Sequence, residues 1–129
     1  MTISKIINWC IKHNYNNFTI QECVNNNKRV ELSFTDYNIY SAVYNSVKKL
    51  KNVHIESKTF FGGEFEGYIY IYNIDDYNNI KSYNGNKSKL HDIFNYAMHN
   101  GYSSEDAQKM QLQYAIDNSL IDIFNKIYA

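Results

Sequence analysis

The sequence predicts an α+β protein that is mostly helical. Apolar residues recur at helical spacing in several segments, of which residues 2–14 are the first and residues 104–127 the last. Two neighbouring runs rich in β-branched and aromatic residues instead flank Gly62-Gly63, which is a hairpin signal. The 129 residues suit one domain or a small domain with an appendage, and the 44% apolar content is enough for a core.

Composition restricts the classes of function. The 13 basic and 13 acidic residues cancel, so any nucleic-acid surface must be local. Cys10 and Cys23 cannot form a Cys-x-x-Cys metal site and are expected to be buried thiols of a reducing compartment. No apolar run is long enough to span a membrane, and the N-terminus lacks the apolar segment of a signal peptide. We therefore expect a protein of the bacterial cytoplasm. Abundant Asn, Lys, Ile and Tyr, whose codons are AT-rich, indicate a low-GC bacterium, its phage or a mobile element.

The first half of the chain predicts helices before strands. Residues 2–14 carry one apolar stripe and begin with Thr2, a suitable N-cap. Thr19 and Glu22 have the spacing of a capping box, which predicts a short second helix over residues 19–25.

A strand, a third helix and a hairpin are expected next. Residues 29–34 alternate like a strand, and a third helix is expected from Thr35 or Ser33 to residue 51. Its buried side is predicted from a line of apolar and small residues: Ile39, Val43, Ser46 and Leu50, flanked by Ala42 and Val47. Residues 53–61 and 65–72 would form the hairpin, with the glycine pair supplying positive φ at its turn.

The order helix, helix, short strand, helix, hairpin resembles the winged helix-turn-helix superfamily. Residues 1–73 carry this pattern, and residues 34–51 look like the third helix of such domains, with a capping Ser/Thr and an apolar-x-x-Leu ending. One departure is residues 25–34, which are longer than the turn of a compact helix-turn-helix. The resemblance implies a winged-helix domain over residues 1–73.

The resemblance also implies that the outward face of the third helix enters the major groove of double-stranded DNA. Asn can pair with adenine, Lys can reach guanine or phosphate, and the Tyr hydroxyls can reach phosphates. The predicted DNA-binding residues are Tyr37, Asn38, Ser41, Tyr44, Asn45, Lys48 and Lys51, with Lys58 in the wing. The resulting hypothesis is a sequence-specific transcriptional regulator from a phage or mobile element.

The charges of the wing keep a second hypothesis open. Glu64 and Glu66 make the wing tip acidic, and residues 1–73 hold only eight cations against six acids. A winged helix can also bind protein, with the Tyr-rich third helix and the acidic wing contacting a host partner. In that form the chain would inhibit a host nucleic-acid machine, as anti-CRISPR proteins do.

The C-terminal part predicts a polar connector over residues 74–88 and a helical pair over residues 89–129. The last helix, residues 104–127, is apolar over roughly 200° of its surface, from the 100° step per residue. Such a helix must pack on two sides, which predicts a homodimer. The expected dimer interface is one line of apolar residues: Leu112, Ile116, Leu120, Ile123 and Ile127.

No catalytic chemistry is predicted. The four histidines, His13, His54, His91 and His99, lack the spacing of a metal motif. The glycine-rich segment 62–67 lacks the Gly-Lys-Ser/Thr ending of a phosphate-binding loop, and no Gly-x-Ser-x-Gly motif occurs. We therefore expect no enzyme, no catalytic residue, no metal and no cofactor.

Overall fold

The computed structural model describes residues 1–129 as an α+β protein, which confirms the predicted class. Its elements in chain order are α1 (Ile3–Lys12), β1 (Phe18–Glu22), β2 (Lys28–Phe34), α2 (Tyr37–Val47), β3 (Val53–Phe60), β4 (Glu66–Asn73), α3 (Ile74–His99), α4 (Ser104–Asp117) and α5 (Ile121–Ile127). The chain divides into two compact units, Met1–Ile80 and Lys81–Ala129. No helix combines the length and apolarity needed to cross a membrane.

The first unit is built from a helix–hairpin motif that occurs twice. Helix α1 precedes the β1–β2 hairpin, and α2 precedes the β3–β4 hairpin. The two hairpins join through antiparallel pairing of β2 with β4, which gives one sheet in the order β1-β2-β4-β3. The predicted hairpin of residues 53–72 is confirmed as β3 and β4. The prediction that Gly62 and Gly63 supply positive φ at its turn is wrong, because the glycine with a positive φ is Gly101, at 83°.

The core lies on one face of this sheet, where both helices pack. Alternation along each strand points every second residue to that face. The fully buried residues of the two central strands are Val30, Leu32, Ile69 and Ile71. Packed on them are Ile6 and Cys10 of α1 and Tyr40, Val43 and Val47 of α2.

The predicted second helix, residues 19–25, is wrong. Residues 18–22 form β1, and the Asn-rich segment of residues 25–27 turns the chain into β2. Asn25 and Asn26 adopt φ of 55° and 62°, a left-handed conformation that Asn tolerates. The Cys23 N–H donates to the Asn27 carbonyl at 2.7 Å and closes the hairpin. Pairing with a buried strand outweighs the local capping signal, so no α-helix lies between α1 and β2.

Helices α1 and α2 follow the predicted segments with shifted ends. Thr2 caps α1 as predicted, since its hydroxyl accepts the Lys5 N–H at 3.3 Å. Asp36 caps α2 in place of Thr35 or Ser33, and its carboxylate accepts the Asn38 and Ile39 N–H groups. The helix ends at Val47, before residue 51.

The buried side of α2 also differs from the prediction. Tyr40 is buried with Val43 and Val47, whereas Ile39 and Ala42 are exposed. Compared with the prediction, α2 is therefore rotated about its axis by about one residue, because the larger Tyr40 ring takes the position against the sheet.

The predicted polar connector, residues 74–88, is also wrong, because these residues belong to α3. Asn73 begins this helix: its Oδ1 accepts the Asp75 N–H at 2.8 Å and the Asp76 N–H at 3.2 Å. Asp76 in turn accepts the Lys28 N–H. These bonds tie the first turns of α3 to the sheet, and the first unit accordingly extends to Ile80.

The second unit is helical, but its last segment is not one helix. Residues 118–120 separate α4 from α5, with Ser119 at a φ of 57°. The break folds α5 back so that Ile123 and Phe124 pack with Leu90 and Ala115. Helix α3 ends at His99, and Gly101 follows it with a φ of 83°.

Gly67 gives the fold a test, because an added Cβ would lie 2.7 Å from both the Phe65 and the Tyr40 rings. We expect Gly67→Ala to lower the free energy of unfolding by about 1–3 kcal/mol, as overpacked cores do. Urea denaturation followed by circular dichroism measures this change. Gly63→Ala is the matched control, since nothing lies within 4 Å of its Cβ. Equal stability of the two variants would contradict the packing of Tyr40 on β4.

Candidate functional site

The predicted DNA-binding residues of the third helix lie on or just after α2. The exposed ones are Tyr37, Asn38, Asn45, Lys48 and Lys51, while Ser41 and Tyr44 are half-buried. The Lys48 ammonium lies 5.0 Å from the centre of the Tyr44 ring, so this cation already has an aromatic partner. Tyr44 itself packs against the core.

Lys58 does not join these residues. It lies opposite Tyr68 in the β3–β4 pairing, and its ammonium lies 6.0 Å from the Tyr70 ring centre. Tyr68 and Tyr70 alternate with Ile69, which points into the core below α2. Lys58 therefore lies on the sheet face opposite α2, and the structure does not bring it together with the predicted residues of the third helix.

The N-terminal end of α2 and the β3–β4 turn together expose large apolar side chains. Tyr37, Ile39 and Phe61 are 51%, 56% and 67% exposed. The Tyr37 and Phe61 rings contact each other, and we call these two residues the α2 surface. Ile39 lies about 200° around the helix from Tyr37 and therefore belongs to the other flank of α2. Apolar side chains that are exposed in a contiguous patch mark interaction sites.

Ring contacts connect the α2 surface to the core. The Tyr37 and Phe61 ring centres lie 6.0 Å apart, and both rings contact Phe65, at 5.4 and 5.3 Å. Phe65 contacts the buried Tyr40 at 5.5 Å, and Tyr40 contacts Phe34 at 5.9 Å. Offset and edge-on contacts at these distances are favourable, so the exposed rings are held in place.

A cleft of about 330 Å³ opens beside Ile39. Its apolar lining is Leu32, Phe34, Ile39 and Val43, and its polar lining is His13, Asn14, Tyr15, Asn16 and Asn17. This volume is at the lower end of the roughly 300–1,000 Å³ of small-molecule sites. An apolar floor with amide groups at its rim suits one apolar side chain together with the backbone that carries it.

Charges around the α2 surface are negative. Asp36 precedes Tyr37, Glu64 lies in the turn between Phe61 and Phe65, and all these charged groups are exposed. The cations of this helix begin at Lys48, about 16 Å from Tyr37 at the 1.5 Å helical rise. The apolar end of α2 is thus acidic, and the basic end is separate.

The opposite face of the sheet is occupied by its own interactions. The Arg29 guanidinium lies 4.0 Å above the Tyr70 ring and donates to the Tyr72 hydroxyl and to Gln21. Tyr72 donates onward to Glu56 at 3.2 Å. Burial raises the pKa of Tyr72, and the neighbouring Arg29 opposes this shift. Arg29 is thus held in place through its Nε and one of its terminal nitrogens.

Cys10 and His54 are reactive side chains of the first unit that lie away from the α2 surface. Burial raises the pKa of the Cys10 thiol to about 11, so Cys10 is a poor nucleophile near neutral pH. His54 stacks on Tyr77 with ring centres 3.5 Å apart and lies 3.1 Å from Glu56. No group of three His, Cys, Asp or Glu side chains is placed to hold a metal ion.

The predicted dimer residues do not lie on one helix. Leu112 and Ile116 are exposed on α4, while Ile123 is buried on α5 and the half-buried Leu120 and Ile127 pack beside it. The break at residues 118–120 is the reason, because it ends the single line of side chains that one helix would present.

Sequence reasoning missed Phe61, and it placed Ile39 in the core. The available signal for the first was Phe60-Phe61 immediately before Gly62-Gly63. Two large apolar residues at a turn are unusual, since turns are ordinarily polar. For Ile39 no such signal existed, because its exposure depends on the rotation of α2 about its axis.

The exposed Phe61 and the buried Tyr40 should contribute differently to the free energy of unfolding. We expect Phe61→Ala to change the free energy of unfolding by about 1 kcal/mol at most, because its ring is largely in solvent. Tyr40→Ala should cost about 3–5 kcal/mol, because it removes a buried ring. Urea denaturation of both variants makes the comparison. A large loss in the Phe61 variant would mean that this ring is structural.

Comparison of the chain with protein-family models, with curated proteins and with solved structures finds no match.

Proposed function

We propose that the chain is a protein-binding module whose α2 surface docks a partner segment carrying a large apolar side chain beside Lys or Arg. The observation that carries the proposal is the exposure of Tyr37 and Phe61, whose rings are anchored to the buried Tyr40 directly or through Phe65. Aromatic residues are enriched at protein interfaces, and rigid rings lose little conformational entropy on binding.

On the other flank of α2, the cleft beside Ile39 offers a further place for an apolar side chain of the same partner. Leu32 and Val43 form part of its floor, and Asn16 and Asn17 lie at its rim. A side chain that fills the cleft would exclude water from the floor, while the amides pair with the partner backbone. Interfaces of this kind concentrate their binding energy in a few central anchors.

The acidic surroundings favour a partner with positive charge. Asp36 and Glu64 attract Lys or Arg and repel a phosphate backbone. This charge favours the protein-binding alternative over DNA for the apolar end of α2. We further propose that the partner is a host protein and that binding inhibits a host nucleic-acid machine.

DNA binding is the competing proposal, and one observation favours it. Asn45, Lys48 and Lys51 are exposed at the C-terminal end of α2, where a duplex could contact them. Such binding would be weak and salt-sensitive, because few cations take part.

A peptide-library screen tests the protein-binding proposal. The full-length chain is immobilised and probed with random displayed peptides, and the selected peptides should share an apolar residue beside Lys or Arg. Tyr37→Ala and Phe61→Ala should each weaken the selected peptides about tenfold or more, as loss of interface anchors does. Tyr96→Ala is the matched control, because Tyr96 is 64% exposed in the second unit.

Two outcomes would reject the proposal. One is peptide binding that Tyr37→Ala and Phe61→Ala leave unchanged. The other is a gel shift of random-sequence duplex DNA at low salt that Lys48→Ala abolishes, with no peptide selected. The second outcome would support the DNA-binding alternative.

A further inference from the structure

We propose that two copies of the chain pair antiparallel through the free edge of β3, which joins their four-stranded sheets into one. Strand β3 is an edge strand, since β4 is its only neighbour. An exposed edge presents a row of hydrogen-bonding groups that another strand can use. The proposal does not rest on the α2 surface, because it depends on backbone groups and on the opposite sheet face.

The hydrogen bonds of the sheet identify the groups at this edge. Residues of an antiparallel strand direct both backbone groups alternately to one neighbour and the other. The Ser33 N–H donates to the Asn17 carbonyl, so odd-numbered residues of β2 face β1. The β2–β4 and β3–β4 registers are regular, so the alternation continues across the sheet. The even-numbered residues of β3 therefore direct their backbone groups to β4. The backbone groups at the free edge are therefore those of Val53, Ile55, Ser57 and Thr59.

Charge complementarity selects one register for a second copy. Pairing centred on Ser57 places Glu56 opposite Lys58 of the second copy, and Lys58 opposite its Glu56. Both pairs occupy non-hydrogen-bonded positions, where side chains approach most closely. The adjacent registers, which are shifted by two residues, keep the same hydrogen-bonding residues at the interface. They place Glu56 opposite Glu56 or Lys58 opposite Lys58, which is repulsive.

The remaining pairs in this register are also favourable. Phe60, which is exposed beside Tyr68, would lie opposite His54 of the second copy. On the other face, Ile55 would lie opposite Thr59, a pair of β-branched residues. Cross-strand pairs of aromatic, β-branched and opposite-charge residues are the contacts that stabilise sheets.

The other edge of the sheet offers a poorer match. Strand β1 has five residues against the eight of β3. Self-pairing centred on Ile20 would place Glu22 opposite Phe18, with no opposite charge for the carboxylate. The complementarity is thus specific to β3, and the resulting interface is closed because each copy uses the same strand.

Charge exchange tests the register. Sedimentation velocity of the full chain at micromolar concentration should show a dimer, and Lys58→Glu should weaken it about tenfold by replacing two attractive pairs with two repulsive ones. The double variant Glu56→Lys/Lys58→Glu should restore the dimer, since opposite charges face each other again. Circular dichroism confirms that each variant is folded.

Cross-linking locates the interface. In the proposed register Ser57 lies opposite itself with Cα atoms about 5.5 Å apart, within disulfide reach. Ser57→Cys should therefore oxidise to a covalent dimer. Thr59→Cys is the matched control, because its copies would be about 14 Å apart, which is four residues along the strand.

Three results would overturn the proposal. They are a monomer under these conditions, a dimer that Lys58→Glu leaves intact, and equal cross-linking of the Ser57→Cys and Thr59→Cys variants. An intact dimer after Lys58→Glu would instead place the contact elsewhere, for example at Leu112 and Ile116 of α4.

Discussion

The pairing of β2 with β4 is the constraint on which the first unit depends. It brings Val30 opposite Ile71 and Leu32 opposite Ile69, and these four residues form the fully buried floor of the core. Removing such apolar area from water is the main favourable term in folding. Because this floor covers only one face of the sheet, both helices must pack there, and both hairpins become parts of a single sheet.

The position of the α2 surface follows from that constraint. Tyr40 packs over Gly67 on β4, so α2 lies with its N-terminal end beside the β3–β4 turn. Tyr37 and Phe61 then meet at the end of the sheet, although they are distant in the sequence. The same arrangement places Lys58 on the opposite face and leaves the β3 edge open. The packing of α2 on β4 thus separates the α2 surface from the β3 edge, the two surfaces that we propose for binding.

Local patterns predicted the elements whose periodicity and turn residues allow only one interpretation. Helix α1, the strand of residues 29–34 and the β3–β4 hairpin were all evident from periodicity and turn residues. Strand β1 was missed because Thr19 and Glu22 also satisfy a helix cap, and only pairing with β2 decides between the two. The exposure of Ile39 could not be predicted, since it reflects the competition of two adjacent apolar residues for one buried position.

The account is tested most directly at β1, by nuclear Overhauser effects of the full chain in solution. Ile20 and Val30 form a non-hydrogen-bonded pair, whose Cα atoms should lie about 4.5 Å apart. We predict a strong effect between their α-protons. Consecutive amide–amide effects across residues 19–25, without that cross-strand contact, would instead indicate a helix. They would support the predicted helix of residues 19–25 and contradict the four-stranded sheet from which both proposed surfaces follow.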